Sequence, residues 1–380
     1  MRIAIDARKL RDGGIGTYIG NLLRELARRP GGHEYVALVA PEDRGAVEAL
    51  AAAGTASAGD SAHAPVSERA VRAGKYSLAE HWVVAREASR AGAALLHAPH
   101  YTLPLGWGGP SVVSIHDLIH VRHARLFRPG TGLAARVIAG AAARRARLVL
   151  TGSTHSRDEI VALLRVPEAK VRVIPYGVSA SFGRWDAPAV AAFRAARGLP
   201  ADYLLYVGAR KPHKNLGVLI EALSRLAPGS RPPLVLSGAR WDAGDPHAAV
   251  AHRAGVEGRV HFAGGLETDE DLSLLYSGAL LYAQPSLDEG FGLPPLEAMA
   301  CGVPVLSSPA GALAETLGDA VAFADPRSPE AWADAIAVLL RDSGRRADLA
   351  RRGLERAREF TWERTADATR RAYEEAVRVG

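Results

Sequence analysis

Cysteine is almost missing from this chain. Cys301 is the single one among 380 residues. That excludes an internal disulfide and any cysteine-built zinc cage, and it fits a reducing compartment. Aromatic residues make up only 6%. They are not interleaved with the basic residues, so nothing resembles an RNA-binding module and no nucleic-acid partner is expected. No apolar run approaches the roughly 20 residues that a membrane span needs. The chain opens on Arg2-Ile3-Ala4-Ile5-Asp6-Ala7, which reads as a first core strand, with no secretory leader ahead of it. The expected location is cytoplasmic.

What is present points to an ordinary globular protein, with 48% hydrophobic and 23% charged residues. The length is more than one core usually serves and suits two domains. A net charge of +6 and a pI near 9.6 are compatible with nucleic acid, anionic lipid or a phosphorylated substrate. Arginines gather at Arg122, Arg125, Arg128, Arg136, Arg144, Arg145 and Arg147. They are read first as a solvated helix face. The competing reading is a patch toward lipid headgroups or a polyprenyl-phosphate acceptor, a peripheral contact with the inner face of the membrane.

Short apolar runs alternate with longer helical stretches, the pattern of parallel α/β architecture. Strands are predicted at 2–7, 35–40, 93–97, 111–115, 148–151 and 171–174, with helices at 17–28, 77–89, 132–145 and 156–164. Ser156-Arg157-Asp158-Glu159 reads as a capping box for the last of these. Residues 51–65 are rich in Ala, Gly and Ser and read as a flexible surface loop. A second series places strands at 203–207, 234–237, 260–262, 279–283, 303–306 and 321–323. Its helices fall at 215–226, 268–276, 294–300 and 329–340. Proline and glycine break the pattern at Pro175-Tyr176-Gly177-Val178-Ser179, the expected joint. A helical tail covers 347–379 with an interruption at Phe360-Thr361-Trp362. The expectation is two doubly wound domains with a cleft between them, ligands sitting beyond the carboxyl ends of the strands.

The strongest motif is Glu289-Gly290-Phe291-Gly292-Leu293-Pro294-Pro295-Leu296-Glu297, which follows a strand and opens a helix. Pro294 and Pro295 suit a first helical turn. The glycines let backbone N–H groups approach a ligand, and the helix start favours phosphate or sugar oxygens. Glu289 in the loop and Glu297, placed inside the first turn, offer carboxylates to vicinal hydroxyls. The plainer reading, that Glu297 only complements the helix terminus, leaves the glycines and Glu289 unexplained. The second motif is Gly208-Ala209-Arg210-Lys211-Pro212-His213-Lys214-Asn215. Here Arg210 gives a bidentate fork and Lys214 a point charge, a pair suited to a pyrophosphate. Two solvated surface cations are the plainer reading of that motif alone.

In the first half, Gly13-Gly14-Ile15-Gly16-Thr17-Tyr18 resembles a dinucleotide fingerprint but carries Ile19 where the third glycine or alanine belongs. It reads better as a loop whose backbone meets a phosphate or sugar. Ser114-Ile115-His116-Asp117 closes another strand, where a lone histidine is as readily structural as functional. Asp269-Glu270-Asp271 imitates a metal-binding acidic string but stands in a helical first turn behind Thr268, where it reads as a cap.

With these residues in view, the chain resembles the retaining glycosyltransferases of family four, which have the GT-B fold. The match covers nearly the whole length. It is densest from Val260 through Pro326, in Phe262-Ala263-Gly264, Tyr282-Ala283-Gln284-Pro285-Ser286, the Glu289–Glu297 motif, Ala298-Met299-Ala300-Cys301-Gly302-Val303-Pro304-Val305 and Glu315. The resemblance implies two Rossmann-like domains, 1–178 for the acceptor and 179–359 for the nucleotide sugar, with residues 360–380 as a helix crossing back. It implies that Arg210 and Lys214 bind the donor diphosphate and Glu297 the ribose. Glu289 and the N–H groups of Phe291, Gly292 and Leu293 would hold the sugar, with His116 at its reacting face and Gly16 near the phosphates. No metal and no other cofactor is expected, because the two cations do that work.

The joint departs from the family pattern, with Tyr176 and Ser179 where Asn and Asp are common. Ile15-Gly16-Thr17-Tyr18 and His116-Asp117-Leu118-Ile119-His120 are similar to a subgroup holding many mannosyltransferases, which implies GDP-mannose as donor. The acceptor would be a glycan, a lipid-linked sugar or a small molecule. The competing readings are a catalytically silent sugar-nucleotide-binding or assembly protein and an NAD-dependent oxidoreductase.

Overall fold

The structure, a computed structural model, describes residues 1–55, 66–238, 245–264, 266 and 268–378. The chain divides into two compact units. The first comprises Met1–Ala124, Arg128–Gly177 and Thr361–Gly380, the second Arg125–Phe127 and Val178–Phe360.

The first unit runs β1 (Arg2–Asp6), α1 (Gly13–Arg28), β2 (Glu34–Val39), α2 (Ala46–Thr55), β3 (Ser67–Ala70), α3 (Glu80–Arg90) and β4 (Leu95–Ala98). It continues with β5 (Ser111–Ser114), α4 (Ile119–Arg122), α5 (Thr131–Arg145), β6 (Leu148–Thr151), α6 (Thr154–Leu164) and β7 (Val171–Val173). All seven strands are parallel, in the order β3-β2-β1-β4-β5-β6-β7. β4, β5 and β6 are buried along their whole length, which is why adjacent apolar residues, as in Leu95-Leu96, Val112-Val113 and Leu148-Val149-Leu150, replace a strict alternation. Their side chains meet those of α3, α5 and α6 in one core that includes Leu96, Val113, Val149, Val84, Ala139 and Ile160.

The second unit runs α7 (Ala187–Arg197), β8 (Leu204–Val207), α8 (Leu216–Arg225), β9 (Leu234–Ser237), α9 (Pro246–Arg253), β10 (Val260–Gly264) and α10 (Asp269–Ser277). Next come β11 (Leu281–Gln284), α11 (Leu293–Ala300), β12 (Val305–Ser307), α12 (Leu313–Leu317), β13 (Ala322–Phe323), α13 (Pro329–Arg341) and α14 (Ser343–Ala357). Its six parallel strands take the order β10-β9-β8-β11-β12-β13 around a core with Leu204, Leu219, Leu236, Ala283 and Trp332. The last helix, α15 (Trp362–Arg378), belongs to the first unit, where Thr365 Oγ1 donates to the Pro175 carbonyl at 2.8 Å.

In both sheets the strand order reverses beside the first strand, between β1 and β4 and between β8 and β11. Loops leaving the carboxyl ends of such strands line a crevice, the usual ligand position in doubly wound folds.

Several local expectations need correction. Ala51–Thr55 continue α2, because alanine favours helix; the rest of the stretch read as a loop, 56–65, lies outside the described residues. The cap of α6 is Ser153, whose side chain accepts from the Ser156 amide at 3.0 Å. Glu159, assigned to a capping box, instead accepts from Arg122 at 2.6 Å. β3 went unread because Ser-Glu-Arg-Ala is polar, as an edge strand can be. The helices α7 and α9 went unread although Asp186 and Asp245 cap them, each ahead of a proline in the first turn. Thr268 does cap α10, accepting from the Asp271 amide at 3.0 Å.

Candidate active site

The richest constellation stands on the carboxyl rim of the second sheet. After β8 the chain passes Gly208, at a φ of 153°, and reaches Arg210. A single tight turn at Pro212–Lys214 then presents Lys214. Asn215 ends the turn in the left-handed region, which Asn tolerates better than most residues. Its side-chain amide donates to the carbonyls of Pro285 at 3.0 Å and Pro326 at 2.7 Å. The Leu287 amide donates to the His213 carbonyl at 2.7 Å. These bonds stitch the Lys214 turn to the loop after β11.

Lys214 Nζ lies 2.7 and 2.9 Å from the two oxygens of Glu289. Oε1 also accepts from Gln284 Nε2 at 2.7 Å and Ser286 Oγ at 2.6 Å. Gln284 is oriented in turn by the Tyr282 hydroxyl, which donates to its Oε1 at 2.5 Å. Strand alternation places Tyr282, Gln284 and Ser286 on one face, so one edge of β11 and its exit serve the same carboxylate. Burial would raise the pKa of Glu289, but Lys214 and Ser286 outweigh it and hold the group below the usual carboxylate range. Among the described residues two of the three Lys214 donors are taken, which leaves one for a further oxygen.

Arg210 is held differently. It pairs with Asp245, whose side chain is fully buried and which also accepts from the His247 amide at 2.8 Å. Sequence reasoning missed Asp245. Its signal was the Asp-Pro pair that opens α9.

Helix α11 begins at Leu293, which puts Glu297 at its fifth position and leaves no acid in the first turn. Glu297 therefore does not complement the helix terminus, contrary to the first-turn placement expected from sequence. Burial pushes its carboxyl up to about 7, although the Tyr276 hydroxyl donates to Oε2 at 2.9 Å. Because Pro294 and Pro295 have no N–H, the donors at this helix start are those of the residues flanking them, Gly292 and Leu293 before and Leu296 after. Gly292 has a φ of 105°. Gly311, also left-handed, was missed: a Cβ there would stand 2.4 Å from the Glu289 carbonyl and from Asp288 Oδ1. Pro309-Ala310-Gly311 just beyond β12 was the available signal.

In the first unit, His116 follows β5. Its Nε2 lies 2.9 Å from the Pro99 carbonyl, which can only accept, so Nε2 carries the hydrogen. Nδ1 then accepts from the Tyr176 hydroxyl at 2.7 Å. Burial holds this imidazole below its ordinary pKa, against opposing pulls from the Pro99 carbonyl and Asp117. Around it, Tyr18 packs on the rings of His116, Tyr176 and Trp362. Buried His97 bridges Ser114 at 2.8 Å and Tyr373 of α15 at 2.7 Å. Sequence reasoning quoted Tyr18, Ser114, Tyr176 and Trp362 within separate motifs but did not bring them together around His116, and it singled out neither His97 nor Tyr373.

Gly16 has a local reason to be glycine. A Cβ would lie 2.1 Å from the Leu10 carbonyl, so the loop before α1 closes only around a bare Cα. That loop is pinned by buried Arg8, which reaches Asp6 at 2.7 Å and Glu80 at 3.1 Å.

Comparison with known proteins fits this arrangement. Residues 12–182 match the family model described as Glycosyltransferase Family 4, and residues 193–356 match that of Glycosyl transferases group 1. O-antigen chain mannosyltransferase B of Escherichia coli is 36% identical over 231 residues, 60% of this chain and 60% of that protein. The D-inositol 3-phosphate glycosyltransferase of Xylanimonas cellulosilytica is 34% identical over 288 residues, 72% of this chain and 68% of that one. The match thus spans less than two thirds of the mannosyltransferase's own length. Among solved structures, sucrose-phosphate synthase from Thermosynechococcus elongatus superposes with a TM-score of 0.79 at 21% identity, over the whole of both chains. HepE of Anabaena, solved with UDP-glucose, gives 0.77 at 19% identity, over 99% of this chain and 100% of that one. Among the described residues no helix is long and apolar enough to cross a membrane. The chain belongs to glycosyltransferase family four, and its two parallel-sheet domains are those of the GT-B fold.

Proposed function

We infer that this glycosyltransferase moves a hexose from a nucleotide diphosphate sugar, with GDP-mannose as donor, and retains the anomeric configuration without a metal ion. The observation that carries the reading is the pairing of Lys214 with Glu289 at the carboxyl rim of the second sheet. One side chain offers a cation with a spare donor, and the other a carboxylate kept ionised next to it.

In this account Lys214 and Arg210 stabilise the diphosphate as its charge grows on leaving. The amides of Phe291, Gly292 and Leu293, together with Glu289, hold the transferred sugar, and Glu297 takes the ribose hydroxyls. The acceptor hydroxyl attacks the anomeric carbon on the face from which the diphosphate departs. A donor phosphate oxygen takes its proton, so a new glycosidic bond and a protonated nucleoside diphosphate result. His116, neutral and fixed as the Nε2–H tautomer, shapes the sugar-facing wall of the first domain. Gly16, which the structure places in the first turn of α1 and not in the loop expected from sequence, stands at the helix start that approaches the phosphates.

Mannose rests on the similarity to the E. coli mannosyltransferase and on the His116–His120 segment. The acceptor is a glycan, a lipid-linked sugar or a small polyol; relatives named for inositol phosphate illustrate the last class. A thermal-shift panel of nucleotide diphosphates and their sugars tests the donor. A ligand at one hundred times its dissociation constant adds about 2.7 kcal/mol. GDP-mannose should stabilise the protein more than UDP-glucose does. A larger shift with UDP-glucose would reject the mannose assignment, and no shift with any nucleotide sugar would reject the site.

A further inference from the structure

A surface helix normally turns its large aliphatic side chains inward and its polar ones outward. Helix α5 is built the other way round. Its buried positions are Gly132, Ala135, Ala139, Gly140, Ala142 and Ala143. Its solvent face carries Leu133, Val137 and Ile138, which are 69%, 58% and 39% exposed. The small inward residues let the helix lie close on the sheet, but nothing in the first unit's core asks for three large aliphatics outside.

Charge on this helix is equally one-sided. At 3.6 residues per turn, Leu133, Arg136, Val137 and Arg144 share a sector of about 100°. Arg136 and Arg144 are exposed. Residues 118–157 contain eight arginines and no aspartate or glutamate. In a chain with 41 acidic residues, a stretch of that length would hold about four at the average density. Arg145, at the end of the helix, donates to the carbonyls of Pro104, Leu105 and Trp107. It thereby ties α5 to a turn bearing Leu105, 52% exposed. A Cβ on Gly106 of the same turn would lie 3.4 Å from Trp82, which is 59% exposed.

We propose that this face of the first unit, Leu133, Val137, Leu105 and Trp82 flanked by Arg136 and Arg144, docks on an anionic lipid bilayer. Leu133 and Val137 enter the acyl boundary, the guanidinium groups meet headgroup phosphates, and Trp82 suits the headgroup level. The occupant is chosen by the chemistry of the patch. A nucleic acid would satisfy the arginines but gains nothing from exposed Leu and Val, whereas a bilayer satisfies both. The contact is reversible, since one helix face buries little beside a membrane span.

The test is co-sedimentation of the full chain with vesicles of phosphatidylcholine alone and with one third phosphatidylglycerol. Binding is expected only to the anionic vesicles, and it should weaken as salt rises. Arg136→Gln with Arg144→Gln should weaken partitioning by roughly twenty-fivefold, at about fivefold per cation. Leu133→Ser with Val137→Ser should weaken it by at least tenfold at unchanged net charge. Both variants change exposed side chains, so an unaltered melting temperature confirms that they fold. Failure of the wild type to bind anionic vesicles would overturn the proposal. So would binding untouched by the Leu133/Val137 pair, which is the outcome expected of a purely electrostatic nucleic-acid site.

Discussion

Two sites of this chain, one in each unit, handle polar chemistry in opposite ways. On the rim of the second unit, buried charges are kept as charges: Lys214 faces Glu289 and Arg210 faces Asp245. Around His116 in the first unit, buried titratable groups are kept neutral. His97 is pushed down to about 3 by burial and the nearby His116, Tyr18 is pushed up to about 12 by burial, and both are joined through Ser114. A rim of balanced ion pairs can yield cations to an anionic ligand, because their partners already met the desolvation cost. A neutral, aromatic shell fixes the shape of a wall and adds no charge to it.

The sharpest way to break this contrast is Lys214→Ala. It should lower turnover by at least a thousandfold, measured by donor consumption. It also strands Glu289 in a buried site, at a cost of about 3–5 kcal/mol in a urea unfolding curve. A wild-type rate would remove the charged rim from the mechanism.

Acid acts on the other site. The folded-state pKa of His97 lies below its ordinary 6.5. The unfolded chain therefore binds the proton first, and stability falls as pH drops from about 6.5 towards 3, on the order of 4 kcal/mol in total. Unfolding curves across that window should show this loss, and His97→Gln should flatten it.

Two glutamates eight positions apart give opposite slopes. Glu297 is raised to about 7, so the folded chain holds the proton longer and stability falls as pH rises from about 4.5 to 7, by up to about 3 kcal/mol. Glu289 is lowered, so its contribution is present above the ordinary carboxylate range and is lost as pH falls below it. Glu297→Gln should abolish the first slope and leave the second. The smallest effect is expected of Tyr176→Phe, which removes one bond to His116 and costs about 1 kcal/mol. An unchanged melting temperature there would show that the bond does not order the shell.

Much of this was legible in the sequence, and unevenly so. Fully buried parallel strands such as Leu148–Thr151 and Leu234–Ser237 carry their own signal, since both faces are apolar. The Glu289–Glu297 motif is also local: loop, helix start and both carboxylates lie within nine residues. The shell of His116 is not local. Tyr18, His97, Tyr176, Trp362 and Tyr373 meet only because β1, β4, β5 and the final helix converge, and no spacing along the chain announces that. Gly311 and Asp245 were hidden for a related reason. Each matters through a residue far away in sequence, Glu289 for one and Arg210 for the other. Gly16 was noticed for its bareness, but the packing reason for it was not legible: the Leu10 carbonyl occupies the space where a side chain would stand.

The most direct test of the donor rim is calorimetric titration of GDP into the wild type and into Lys214→Ala, with circular dichroism confirming that the variant is folded. The account predicts at least a hundredfold loss of affinity in the variant. Equal affinity in the two proteins would contradict it.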